Sequence, residues 1–218
     1  MQPIVKICGI MREEDVRMCV CHGADIVGFV VDYPQPVPWN LDIQSVKQLM
    51  KVVSGQSKTC IVTGGTPDKV INLILETRPD YVQLHFDESL ADTAKIISET
   101  KKYGVKIIKT LFPNTPNLEK AAVDFHMTGV DALLFDSRTP DNAILGGKAD
   151  LAGFIKVRDA VKCPVILAGG INPGNVAEII KQTNAEIIDL MTGVEKSPGI
   201  KDEAKVISLF KALNRDDT

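Results

Sequence analysis

A free thiol and a carboxylate, each closing a β-branched run, are the residues of this chain best suited to moving protons. Cys8 ends the run 4–8, with Lys6 two residues earlier. On a strand that spacing points both side chains to one face. An ammonium there favours the thiolate, the form of cysteine that acts as base or nucleophile. The other role open to Cys8 is that of a small buried hydrophobe. Asp136 ends the run 132–136 and is followed by Ser137-Arg138-Thr139-Pro140. It suits a general acid or base, or a loop cap. His85, at the end of 81–85, adds a group that ordinarily titrates near neutrality. Lys109 is expected as a pocket cation or a core lysine, and Trp39 as the anchor of its loop or a stacking surface.

Two glycine-containing turns point to an anion. Ala168-Gly169-Gly170 leads into Asn172-Pro173-Gly174-Asn175, read as a helix start, and Thr192-Gly193 follows the last apolar run. Glycine lets the main chain approach a ligand, and a helix N-terminus presents unpaired N–H groups. The pair is read as a phosphate site rather than as two tight turns.

These residues need a frame that brings strand ends together. Strand-like runs fall at 4–8, 26–31, 59–63, 81–85, 106–111, 132–136, 165–168 and 186–191. Most are continuously apolar, as parallel strands covered on both faces are. Helical patterns fall between and after them, at 13–21, 43–53, 67–76, 89–103, 118–126, 151–160, 173–181 and 202–213. Thr66-Pro67 and Asn172-Pro173 read as a capping side chain before a first-turn proline, and Gly23 and Gly104 as helix stops. Eight βα units without a compositional break predict one (β/α)8 TIM barrel over 1–218, with its site at the C-terminal ends of the strands. The alternative is an open doubly wound sheet. Cys8-Gly9-Ile10-Met11-Arg12 lacks the GxGxxG fingerprint of its dinucleotide-binding form. Within the barrel, Cys8, Asp32, Thr63, His85, Asp136, Gly169, Gly170, Thr192 and Gly193 are the polar or glycine strand ends expected at the pocket. The stretch 33–39, with three prolines, reads as a stiff loop on the same face.

Bulk properties exclude other classes. The chain has 218 residues, is 44% hydrophobic and carries a net charge of -3, which gives no general attraction to nucleic acid. No apolar run is long enough to span a membrane, and no signal peptide is read at the N-terminus. Five scattered cysteines without a CxxC pair argue for a reducing, cytoplasmic compartment, and three isolated histidines argue against a structural metal. Such a barrel is expected as a monomer or homodimer.

The motifs, taken in order, resemble the phosphoribosylanthranilate isomerase family. They are Val5-Lys6-Ile7-Cys8-Gly9-Ile10, Glu14-Asp15, Gly23-Ala24-Asp25, Gly28-Phe29-Val30, Val82-Gln83-Leu84-His85, Leu134-Phe135-Asp136, Ala168-Gly169-Gly170-Ile171-Asn172-Pro173-Gly174-Asn175-Val176 and Thr192-Gly193-Val194-Glu195. Pro198-Gly199 and Lys201-Asp202 complete the set, which runs over nearly the whole chain. The resemblance implies a cofactor-independent Amadori rearrangement in tryptophan biosynthesis, acting on a phosphorylated small molecule. It implies Asp136 as the general acid at the ribose ring oxygen and Cys8 as the base at C2 of the sugar. Gly169, Gly170, Thr192 and Gly193 would hold the phosphate, with His85 and Gln83 among the binding residues.

The chain departs from the family pattern on the substrate side. The family's carboxylate-binding arginine after strand two has no counterpart, since 32–40 contains neither Arg nor Lys. The family's Leu-His-Gly becomes Leu84-His85-Phe86, its Ser-Ser-Gly becomes Met191-Thr192-Gly193, and strand three ends in Val62-Thr63-Gly64-Gly65. The glycine-rich loop after strand six is reduced to Leu145-Gly146-Gly147-Lys148-Ala149-Asp150. Arg138 or Lys148 is expected to stand in for the missing arginine. A relative acting on another phosphorylated sugar or amine, or a non-catalytic barrel that binds such a metabolite, is the alternative.

Overall fold

The computed structural model describes residues 2–53, 55, 57–138 and 148–215. The expected eight parallel strands close into a barrel in sequence order: β1 (Ile4–Ile7), β2 (Ile26–Val30), β3 (Lys58–Thr63), β4 (Tyr81–Leu84), β5 (Lys106–Leu111), β6 (Ala132–Asp136), β7 (Val165–Ala168) and β8 (Ile187–Leu190). Helices follow them as α1 (Glu13–Cys21), α2 (Ile43–Val52), α3 (Pro67–Thr77), α4 (Leu90–Thr100), α5 (Leu118–Met127), α6 (Leu151–Ala160), α7 (Val176–Thr183) and α8 (Glu203–Ala212). No described helix is long and apolar enough to cross a membrane.

Strand alternation sorts the side chains into two shells. Val5, Ile7, Val27, Phe29, Ile61, Val82, Leu133 and Phe135 face outward and join the apolar stripes of the helices in the main core. Ile26, Cys60, Ile108, Leu134 and Ile166 fill the barrel interior. A third cluster of Cys8, Val30, Trp39 and Val62 closes over the C-terminal end and floors the pocket.

At the N-terminal end the chain repeats one device. Asp25, just before β2, accepts a hydrogen bond from Val5 N in β1 at 2.7 Å. Asp80, before β4, accepts from Thr59 N in β3 at 2.8 Å, and Asp131, before β6, accepts from Ile107 N in β5 at 2.8 Å. Each carboxylate ties the start of an even strand to the odd strand before it. The fourth even strand has the exposed Glu186 at this place.

Several expectations are corrected. The helix read at 173–181 begins at Val176, because residues 172–175 form a turn of their own. There Asn175 Oδ1 accepts from Asn172 N at 2.8 Å and Asn172 Oδ1 from Gly174 N at 2.9 Å. Thr66 makes no side-chain cap, although Pro67 does take the first helical position. The helix read at 89–103 splits into α4, capped by a reciprocal Ser89–Asp92 box, and a 3-10 turn over Lys101–Tyr103. Gly23 and Gly104 do end helical segments with positive φ. A hairpin of β9 (Glu195–Ser197) and β10 (Ile200–Lys201) precedes α8 and was not foreseen.

Candidate active site

The closing loops leave one cavity over the C-terminal ends of the strands. Its wall includes Cys8, Gln83, His85, Asp136, Gly169, Gly170, Thr192 and Gly193, all expected at the site from the sequence. Asp32 and Thr63, also expected at the pocket, are not part of that wall. Asp32 lies outside, in ion-pair contact with Lys69 at 3.5 Å. Thr63 is fully buried with no partner for its hydroxyl.

Cys8 lies one residue past β1, where its N–H donates to Leu190 O at 2.8 Å and fixes the thiol at the mouth of the barrel. Beneath it, Lys6 and Asp189 are register partners on β1 and β8 and form an ion pair at 2.8 Å inside the barrel. Burial pulls the Lys6 ammonium down, but Asp189 more than offsets this and holds it above the ordinary lysine value. Lys6 does favour the Cys8 thiolate, as expected, but burial outweighs it. Burial pushes the Cys8 thiol up, and Lys6, with Asp189 beside it, recovers only part of that. At neutral pH in the ligand-free chain Cys8 carries its proton. Asp189 lines the cavity, and its second oxygen has no hydrogen-bond partner among the described residues.

Asp136 is in the opposite condition. Arg138, two residues on, turns back to donate from Nε to Oδ1 at 3.0 Å and from Nη2 to Oδ2 at 3.0 Å, while its main-chain N–H also donates to Oδ1. Burial alone would raise the Asp136 carboxyl, but this fork and the nearby His85 hold it below the usual carboxylate value. The ligand-free site thus places its proton on Cys8 and its charge on Asp136.

His85 does not titrate near neutrality as expected. Burial drops its pKa to about 4, so it is a neutral ring. Gln83 Nε2 donates to its Nδ1 at 2.9 Å, and Thr110 Oγ1 sits 3.0 Å from the same nitrogen. With Nδ1 accepting, the ring proton is on Nε2, facing Asp136 Oδ2 at 3.9 Å. Tyr33 O–H donates to His85 O at 2.8 Å, and Phe112 packs edge-on at 5.2 Å, so the histidine is gripped from two loops as well as from β4 and β5.

The glycine turns meet the pocket on its other side. Gly169 has φ +84, and a Cβ there would lie 2.6 Å from Asp136 Oδ1. A Cβ on Gly193 would lie 2.0 Å from Ile171 O, so the turns after β7 and β8 pack main chain against main chain. The N–H groups of Asn172 and Gly174 are already taken by asparagine side chains. That helix start therefore offers neither of these N–H groups to a ligand, whereas the Gly169-Gly170 and Thr192-Gly193 turns line the cavity.

Trp39 is buried in the cavity wall beside Val30 and Val62, so it is an anchor that also offers an apolar face. Lys109 is no pocket cation. It points out of the barrel to a fully buried ion pair with Glu88 at 2.6 Å. Glu88 also accepts from Gly65 N at 3.1 Å, joining the loop after β3 to the loop after β4. In that joint a Cβ on Gly64 would fall 2.3 Å from Phe86 Cβ. Phe86 Cβ stands where a Cβ on residue 64 would have to be, so the glycine at 64 is what admits a side chain at 86. Lys148 is exposed and absent from the cavity wall, whereas Arg138 is part of it. Residues 145–147 of the reduced loop lie outside the described residues.

The family model for N-(5'-phosphoribosyl)anthranilate isomerase matches residues 5–212. The chain belongs to the phosphoribosylanthranilate isomerase family. It is similar to the isomerase of Rhodopseudomonas palustris, at 34% identity over 97% of this chain and 98% of that one. It is likewise similar to that of Halobacterium salinarum, at 34% identity over 93% and 91%. The family's structure from Thermotoga maritima superposes with a TM-score of 0.83 at 27% identity, covering 97% of this chain and 98% of that one. A further solved isomerase, at TM-score 0.79, 26% identity and 97% and 98% coverage, is bound to reduced 1-(o-carboxyphenylamino)-1-deoxyribulose 5-phosphate. The phosphoribosylanthranilate isomerase fold therefore accounts for the barrel, and Cys8, Asp136 and the two glycine turns line its cavity. The Lys6–Asp189 pair was missed from sequence because its members are 183 positions apart inside two apolar runs.

Proposed function

We infer that this chain isomerises N-(5'-phosphoribosyl)anthranilate to the 1-deoxyribulose 5-phosphate product, a step of tryptophan biosynthesis. The observation that carries the reading is the meeting of Cys8 and Asp136 in the wall of one cavity, at the positions of the family motifs. Asp136, once protonated, delivers its proton to the ribose ring oxygen. The bond from that oxygen to C1 breaks, and the anilino nitrogen becomes a Schiff base. Cys8 first releases its resting thiol proton to solvent; as thiolate it takes the proton from C2, and the electron pair moves into the enolamine, which tautomerises to the ketone. The two residues serve opposite steps and need opposite protonation states.

Gly169, Gly170, Thr192 and Gly193 bind the phosphate, and Val30, Trp39 and Val62 pack the aromatic ring. Gln83 and His85 bind on the Asp136 side as neutral hydrogen-bonding groups. The scheme is an aldose–ketose isomerisation that calls on no cofactor. The chain is read further as one barrel domain, cytoplasmic, acting as a monomer or homodimer.

The test follows the loss of substrate fluorescence, with N-(5'-phosphoribosyl)anthranilate generated in situ, for wild type and Cys8→Ala. Turnover that disappears in Cys8→Ala supports the reading. A folded protein that binds phosphate and turns over only another aminosugar phosphate overturns the substrate assignment. The missing cation at 32–40 makes that comparison worth running.

A further inference from the structure

The proposed substrate carries a phosphate at one end and a carboxylate at the other, and the family's usual carboxylate partner is absent here. The lysines near the pocket are committed elsewhere. Lys6 is buried beneath Cys8 on Asp189, Lys69 donates to Gly64 O at 2.8 Å, and Lys201 is paired with Glu195 at 2.9 Å. None of the three belongs to the cavity wall. Among the described residues, Arg138 is the cation that does. Its fork is a geometric match for a carboxylate, as its grip on Asp136 demonstrates. Its side chain is only 14% exposed, so the guanidinium is enclosed in the pocket wall rather than spread on the outer rim.

The same fork creates a difficulty for the reaction. Asp136 must hold a proton to open the ring, and Arg138 keeps it ionised in the ligand-free site. One arrangement answers both needs. We propose that Arg138 recognises the carboxylate of the substrate, and that competition between this carboxylate and Asp136 for one guanidinium returns a proton to Asp136. Two carboxylates sharing a site do not both remain ionised, and the one that loses its cation takes up the proton. The proton comes from solvent as ligand binds and leaves Asp136 for the ribose ring oxygen in the first step. Substrate recognition and the arming of the acid are then one event, so a ligand without the carboxylate leaves the acid unarmed. This inference rests on the isomerase reading above.

The experiment uses two ligands, reduced 1-(o-carboxyphenylamino)-1-deoxyribulose 5-phosphate and its counterpart with an unsubstituted phenyl ring. Binding to wild type, Arg138→Met and Arg138→Lys is read by calorimetry between pH 5.5 and 8, as is inorganic phosphate binding, and thermal unfolding followed by circular dichroism checks that each variant is folded. Wild type is expected to prefer the carboxylated ligand by about 10–100-fold, the range of a charge-assisted pair. That preference should strengthen as pH falls, because binding takes up a proton. Arg138→Met should abolish the preference and its pH dependence, and Arg138→Lys should restore only part of it, for want of the fork.

A preference that survives in Arg138→Met overturns the proposal, even if wild type turns over N-(5'-phosphoribosyl)anthranilate. Equal weakening of both ligands and of inorganic phosphate overturns it too, since Arg138 would then serve the phosphate. A wild type that binds the carboxylated ligand no better than the phenyl one also overturns it. The isomerase reading itself fails only if wild type does not turn over the substrate.

Discussion

The two ends of this barrel use the same kinds of residue for different work. At the N-terminal end, Asp25, Asp80 and Asp131 each accept a hydrogen bond from a main-chain N–H. At the C-terminal end, Asp136 and Asp189 are held by the side chains of Arg138 and Lys6. A main-chain partner is fixed by the strand that carries it. A side-chain partner is held by rotamers and can be traded for a ligand group. Among the described residues, the buried side-chain atoms without a partner include Asp189 Oδ1, Gln83 Oε1 and Trp39 Nε1 in the cavity wall and none of the N-terminal carboxylates. A carboxylate's place along its strand, rather than its type, decides whether it stabilises or reacts.

Substitutions at the two ends should separate stability from activity. The largest effect is expected at the top. Cys8→Ala and Asp136→Asn should each lower kcat by about 10²–10⁴-fold, the range of general acid–base catalysis, with phosphate binding retained in calorimetry. A variant with near-normal kcat removes that residue from the mechanism. At the bottom, Asp80→Ala leaves Thr59 N without its acceptor and should cost about 1–3 kcal/mol in denaturant unfolding, with kcat of the folded protein unchanged. Because Thr59 and Lys58 hold the Asp80 carboxyl below its ordinary value against its burial, its contribution is present above about pH 4 and lost as pH falls further. Activity loss in Asp80→Ala would erase the distinction between the two ends.

Next in size is the joint between the loops after β3 and β4. Gly64→Ala should cost about 1–3 kcal/mol by overpacking against Phe86. Adding Phe86→Gly, which removes the Cβ in the way, should recover part of that, and strictly additive costs would break the pairing. The smallest effect belongs to His85. Its folded pKa of about 4 lies below the unfolded value, so the unfolded chain binds protons more readily between about pH 6.5 and 4. Stability should fall as pH drops through that window, by less than about 1.4 kcal/mol per pH unit, because the ring is 22% exposed. His85→Gln should flatten the dependence, measured by urea midpoints at several pH values.

The sequence showed the barrel readily, and the reasons are local. β5, β6, β7, α1 and α6 lie where their apolar runs and flanking breakers put them, because each period is carried by adjacent residues. The site residues were legible because a closed barrel turns strand ends into neighbours. What stayed hidden depends on partners far apart or on side chains that satisfy themselves. The Asn172–Asn175 turn delays α7 by consuming its own N–H groups. The strands of the hairpin before α8 are three and two residues long, too short for any period to show. The burial of Cys8 and the nearby Asp189, which offset the help Lys6 gives the thiolate, could not be read because Asp189 could not be placed. Phe86 and Gly64 looked like two separate anomalies until the space between them was seen.

The carboxylate ties at the N-terminal end also make the chain divisible. Asp25 joins β1 to β2, Asp80 joins β3 to β4 and Asp131 joins β5 to β6, so no tie crosses from one strand pair to the next. A cut at Gly104, between β4 and β5, leaves two ties whole on one side and one on the other. The two pieces, expressed together, are natural candidates for reassembly. New termini opened at a pair boundary should disturb the barrel less than a break within a pair, where the joining carboxylate is parted from its strand.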